Sequence, residues 1–148
     1  SFRGYFNDPR TLLYPRVMAT FRASLTVESP DVMSAPLRLT TGLSTRVDSG
    51  HLIRAKVNGT TQGSSAVTLY KADDKTDTAY VFVRNLASDE EKTLTIYFGS
   101  TDILKVGGGQ FAFIPVDATQ SVKAYASERG MNIEYAAFGV DSTTAQLS

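Results

Sequence analysis

Apolar side chains recur at every second position along nearly the whole chain. A period of two is the mark of extended backbone with one side buried, because successive side chains of a strand point to opposite faces. Val17, Ala19, Phe21, Ala23, Leu25 and Val27 alternate with Met18, Thr20, Arg22, Ser24 and Thr26. After Pro30 and Pro36 the pattern resumes at Leu37, Leu39, Thr41 and Leu43, then at Ile53, Ala55 and Val57. Further strands are predicted at Val67–Tyr70, Tyr80–Val83, Leu94–Phe98, Ile103–Val106, Phe111–Ile114, Val122–Ala126 and Met131–Tyr135. On the eighth of these segments Phe111 and Phe113 alternate with Ala112 and Ile114, and the two phenylalanines are expected to be the core-facing pair.

Turn chemistry separates the segments. Asn58-Gly59 predicts a tight type I′ turn, since both residues tolerate positive φ. Ser88-Asp-Glu-Glu-Lys92 reads as a charged hairpin tip, and Gly107-Gly-Gly109 as a tight hairpin connection. About ten short strands with turn signals between them predict an all-β chain. The expected architecture is a single antiparallel β-sandwich, jelly-roll-like or Ig-like, with an extended N-terminal arm. The boundaries expected are an arm over 1–16, the sandwich over 17–140 and a polar tail over 141–148.

The arm lacks alternation and carries Pro9 and Pro15. It concentrates Phe2, Tyr5, Phe6, Leu12, Leu13 and Tyr14 with Arg3, Arg10 and Arg16, opposed only by Asp8. Aromatics and arginine are enriched where proteins anchor to one another. Phe2, Arg3, Tyr5, Phe6, Arg10, Leu12, Leu13, Tyr14 and Arg16 are therefore the expected partner-binding set. The tail lacks patterning and is expected to be solvated.

Composition narrows the function. Fifteen Lys and Arg balance fifteen Asp and Glu, so binding driven by phosphate neutralisation is not expected, and no nucleic-acid partner is assigned. No apolar run reaches the roughly 18 residues of a membrane span, and the N-terminus has no signal-peptide pattern. No membrane partner is expected. With no Cys and one His, the chain offers no thiol nucleophile, thiolate site or pair of imidazole ligands. The lone His51 has no G-x-S-x-G or comparable partner motif and reads as a strand-end residue. Asp73, Asp74 and Asp77 are interrupted by Lys75 and lack calcium-loop spacing, so they read as a solvated turn. The triple glycine leads into a strand, not the helix N-terminus of a phosphate cradle. No cofactor, metal or catalytic residue is assigned, and the chain is read as a non-enzyme. Tyr70, Tyr80, Tyr97 and Tyr125 are candidates for lining a carbohydrate groove, set against ordinary cross-strand packing.

The run Tyr80-Val-Phe-Val-Arg-Asn-Leu86, then Leu94-Thr-Ile-Tyr-Phe-Gly99, Gly107-Gly-Gly-Gln-Phe-Ala-Phe-Ile-Pro-Val116 and Ile133-Glu-Tyr-Ala-Ala-Phe-Gly139 resembles small virion proteins of tailed bacteriophages. The likeness covers residues 79–140. It implies a β-sandwich displayed on the virion, as a capsid decoration (cement) protein or a tail-associated component assembled in the host cytoplasm. The partners it implies are the major capsid protein or other virion subunits, together with further copies of this chain, contacted through the arm and the sheet edges. The alternative is a glycan- or receptor-binding module on a tail or surface structure.

Overall fold

The computed structural model of the chain describes residues 19–47, 49–72 and 76–141. These residues are all-β and antiparallel throughout, with no helix among them. The chain divides into two compact units, Ser1–Asp48 and Ser49–Ser148.

In the first unit, β1 (Ala19–Ser29) and β2 (Leu37–Val47) pair only with each other, from Ala19 opposite Val47 to Ser29 opposite Leu37. Ser29 closes β1, its Oγ accepting from the amides of Asp31 and Val32. Alternation gives this ribbon two unlike sides. Thr20, Arg22, Ser24, Thr26 and Glu28 share one, where Glu28 pairs with Arg38 across the strands. Phe21, Ala23, Leu25 and Val27 share the other with Leu37, Leu39 and Leu43. The period of two places these residues together as expected, but it does not bury them: Leu25, Val27 and Leu39 are 45%, 40% and 57% exposed.

The second unit contains eight strands: β3 (Ser49–Val57), β4 (Val67–Tyr70), β5 (Thr76–Asn85), β6 (Leu94–Phe98), β7 (Thr101–Val106), β8 (Phe111–Asp117), β9 (Val122–Ala126) and β10 (Met131–Asp141). They form two four-stranded sheets, in the orders β3-β10-β5-β8 and β4-β9-β6-β7. Every connection except β6–β7 passes from one sheet to the other. The pairs β6·β7, β5·β8, β4·β9 and β3·β10 are nested in sequence, each enclosing the last, while β5·β10 and β6·β9 join them side by side.

This topology corrects three turn readings. Asn58-Gly59, Ser88–Lys92 and Gly107–Gly109 are not hairpin turns, because the strands they join lie in different sheets. The glycine run answers instead to a close approach. A Cβ on Gly108 would stand 2.2 Å from the Asp89 carbonyl oxygen and 2.7 Å from that of Ala87.

Both sheets feed one core. Val57, Val81, Val83 and Ile133 from one sheet, and Leu69, Leu94, Ile96 and Val122 from the other, are at most 1% exposed. Burial of this aliphatic set removes apolar surface from water at roughly 25 cal/mol per Å². Among these side chains lies one polar group, Asn85, with no exposed surface. Its amide Nδ2 donates to the carbonyls of Lys92 and Val106, both at 2.9 Å, and its Oδ1 accepts from the Ala87 amide at 3.0 Å. Its own backbone exchanges hydrogen bonds with Gln110 and Gly109. The end of β5, the 86–93 connection and the end of β7 are thus fixed together by a fully satisfied buried amide.

Candidate functional site

Strand register sorts the outer side of the β3-β10-β5-β8 sheet into three cross-strand rows. The first runs Gly50, Phe138, Tyr80, Pro115; the second Leu52, Ala136, Phe82, Phe113; the third Arg54, Glu134, Arg84, Phe111. Two whole rows are apolar. Leu52 is 64% exposed and Phe111 55%, while Tyr80, Phe82, Phe113 and Phe138 are half-buried. Tyr80 stacks on Phe113 with centroids 5.8 Å apart, and Phe82 leans on Phe111 at 6.3 Å. Gly50 leaves space for the Phe138 ring, whose Cδ1 would lie 2.6 Å from a Cβ there.

Phe111 and Phe113 therefore face outward, contrary to the expectation that they fill the core. The inward residues of β8 are Ala112, Ile114 and Val116, which pack with the core cluster. Both sides of this strand are apolar, so alternation alone does not say which is inner. Register makes the choice: Ala112 and Ile114 stand opposite the buried Val83 and Val81 of β5 and share their inward side, which leaves Phe111 and Phe113 with Arg84 and Phe82 on the outer one.

The third row ends the apolar surface with charge. Glu134 Oε2 accepts from Arg54 Nε at 3.3 Å, and Oε1 accepts from Arg84 Nη2. The two guanidinium groups cover the carboxylate, whose side chain is only 8% exposed. Its pKa is held below the usual range chiefly by the hydrogen bond from Arg84, against the opposing effect of burial, with Arg54 adding to the lowering.

The outer side of the other sheet has different chemistry. Its rows run Thr68, Lys123, Tyr97, Asp102 and, beside it, Tyr125, Thr95, Lys105. A register shift between Ile96 and Tyr97 re-aims the end of β6, as bulges beside sites do. The 58–66 connection lies over this corner. Gln62 Nε2 donates to the Ser100 carbonyl at 3.1 Å and to Asp102 Oδ1 at 2.8 Å, and the Gly63 amide donates to Tyr97 Oη at 3.2 Å. Tyr125 Oη donates to Asp102 Oδ2 at 2.9 Å, which raises the Tyr125 pKa by holding its proton. Its ring meets that of Tyr97 at 5.8 Å. Between this corner and the 117–121 turn lies a cleft of about 600 Å³, lined by Gln62, Gly63, Tyr97, Gly99, Gln120, Ser121 and Lys123.

Of the tyrosines singled out in the sequence, Tyr97 and Tyr125 come together here. Tyr80 lies on the opposite sheet, and Tyr70 packs against the core with its hydroxyl on the Ala118 carbonyl. Gln62, Gln120, Ser121 and Lys123 carry no local sequence signal, since Gln62 comes from the 58–66 connection and the other three from the turn into β9 and the start of that strand. The partner-binding residues Phe2, Arg3, Tyr5, Phe6, Arg10, Leu12, Leu13, Tyr14 and Arg16 lie outside the described residues, as do Asp73 and Asp74. Asp77 belongs to β5, and His51 lies on β3 opposite Ala137. Among the described residues no three His, Cys, Asp or Glu side chains come together as a metal site. None of the described segments is a helix long and apolar enough to cross a membrane.

No family model, curated protein or solved structure matches this chain.

Proposed function

We propose that residues 49–141 form a jelly-roll β-sandwich and that the chain is a non-enzymatic virion structural protein. On this reading it decorates a capsid or a tail-associated structure, several copies to a particle, and holds neighbouring subunits. The nested pairing supports the jelly roll. One long antiparallel hairpin with β6–β7 at its tip, rolled up once, yields the orders β3-β10-β5-β8 and β4-β9-β6-β7. That architecture serves viral capsid proteins as well as lectins.

The observation that carries the structural role is the pair of apolar rows on the outer side of the β3-β10-β5-β8 sheet. The inner side of this sheet is already spent on the core, so Leu52, Phe82, Phe111 and their neighbours form a second apolar surface. Contiguous aromatic surface rimmed by charge is the composition of a protein docking face. The Arg54–Glu134–Arg84 group supplies that rim. The ribbon β1·β2 adds a second apolar side, and a two-stranded ribbon is marginal in water unless something packs on it.

The test is co-sedimentation with particles that lack this protein. The parent chain is expected to co-sediment, and the double variant Leu52→Glu, Phe111→Glu to lose at least about tenfold in affinity, roughly 1.4 kcal/mol. Equal binding by the two chains, or none by the parent, would overturn the reading.

A further inference from the structure

The polar cleft on the β4-β9-β6-β7 sheet has no part in that docking role, and its chemistry does not depend on it. Of its seven lining residues only Lys123 is a charged residue type, and among the described residues it has no carboxylate within ion-pair distance. Lys123 is also half-buried, and its ammonium is paired with no described residue. Tyr97 is 3% exposed yet lines the cleft; its Oη accepts from Gly63 and gives its own proton to no described residue. Ser121 is half-buried, its Oγ accepting from the Ala72 amide at 2.9 Å and giving its proton to no described residue. The Gln120 side-chain amide makes no described hydrogen bond.

A buried hydroxyl whose donor and a half-buried cation whose charge meet no partner among the described residues both call for an acceptor-rich, negatively charged occupant. A bare inorganic anion would fill only a small part of about 600 Å³, a volume in the range of small-molecule sites. Beside Lys123 and two glycines the lining consists of two glutamines, a serine and a tyrosine, which suit hydroxyl groups that both donate and accept. The wall is anchored in advance: Gln62 is tied to Ser100 and Asp102, and Gly63 to Tyr97. Little ordering is therefore needed on binding.

We propose that this cleft binds an acidic sugar, with Lys123 meeting its carboxylate or phosphate and Tyr97, Ser121 and Gln120 meeting its ring hydroxyls.

The test titrates the full chain, its amide shifts followed by NMR at fixed ionic strength, with glucuronate, glucose monophosphate, glucose, acetate and inorganic phosphate as separate probes. Amide shift mapping locates the contact. At least one acidic sugar is expected to bind roughly tenfold tighter than glucose, the effect of one charge-assisted hydrogen bond. Which one does so tells carboxylate from phosphate. Shifts should centre on residues 62–63, 97–99 and 120–123. Lys123→Gln should remove the preference for acidic sugars, and Tyr97→Phe should weaken all sugars, each with its circular dichroism spectrum retained. Equal binding of glucose and both acidic sugars would overturn the proposal, as would acetate or phosphate binding as tightly as the sugars. Shifts centred elsewhere, no binding by any sugar, or an unchanged preference in Lys123→Gln would do the same.

Discussion

Replacing Asn85 with leucine isolates what the buried amide contributes. Leucine branches at Cγ as asparagine does but its methyl groups are bulkier, so the change opens no cavity and acts through lost hydrogen bonding, with any crowding adding to the loss. It leaves the carbonyls of Lys92 and Val106 and the amide of Ala87 without this partner. A buried polar group stripped of its partner costs about 1–3 kcal/mol. Of the three bonds only that to Val106 is fully buried, the others being part-buried, so water relieves some of the loss. The lower end for each gives a total of about 3 kcal/mol. For the unit Ser49–Ser148 that corresponds to a fall of about 12–24 °C in the thermal midpoint. Urea unfolding followed by circular dichroism and by tyrosine fluorescence should show the loss in the denaturation midpoint with the m-value unchanged. A shift under about 0.5 kcal/mol, the size of an ordinary surface substitution, would refute the view that Asn85 ties three segments together.

Four further outcomes follow from the same structure. A chain of residues 49–148 should unfold cooperatively by itself, since every member of the core cluster lies within it; a non-cooperative melt would show that the first unit completes the core. Phe111→Ala should change stability by no more than about 0.5 kcal/mol, while Ile133→Ala should cost about 2–5 kcal/mol in denaturant melts, because Phe111 is outward and Ile133 fully buried; the reverse order would mean β8 is read inside out. Gly108→Ala should lower the melting temperature, because its Cβ meets the Asp89 carbonyl with no flexible atom to yield; an unchanged midpoint would contradict the close approach. Glu134 has a pKa lowered from 4.5 in the folded chain, so its contribution is present above that value and is lost as pH falls through the lower folded one; acid titration of stability should be flatter for Glu134→Gln, and identical profiles would count against the triad.

The strands were legible in the sequence because alternation is a local property. Val67–Tyr70 and Phe111 onward begin where the pattern begins. Sidedness was legible only where one side is polar, as in β1 and β2. On β8, where Phe, Ala, Phe, Ile, Pro and Val follow one another, period two offers two equivalent answers. Turn chemistry at Asn58-Gly59 and Gly107–Gly109 reported that the chain leaves its strand but not which sheet it enters. That choice is made by pairings such as Ile53 with Tyr135, far apart in sequence. The cleft was half visible, through Tyr97 and Tyr125. Lys123 looked like one more outward strand residue, and Gln62 acquires its place only when its connection folds across β6 and β7.

The central claim, that the outer side of the β3-β10-β5-β8 sheet holds a neighbouring subunit, is met most directly by electron cryomicroscopy of the assembled particle at side-chain resolution. The account predicts that Leu52, Phe82 and Phe111 lie covered by another chain's residues, with Arg54 and Arg84 at the edge of the contact. A map in which this sheet faces bare solvent, with the chain held by another surface, would contradict it.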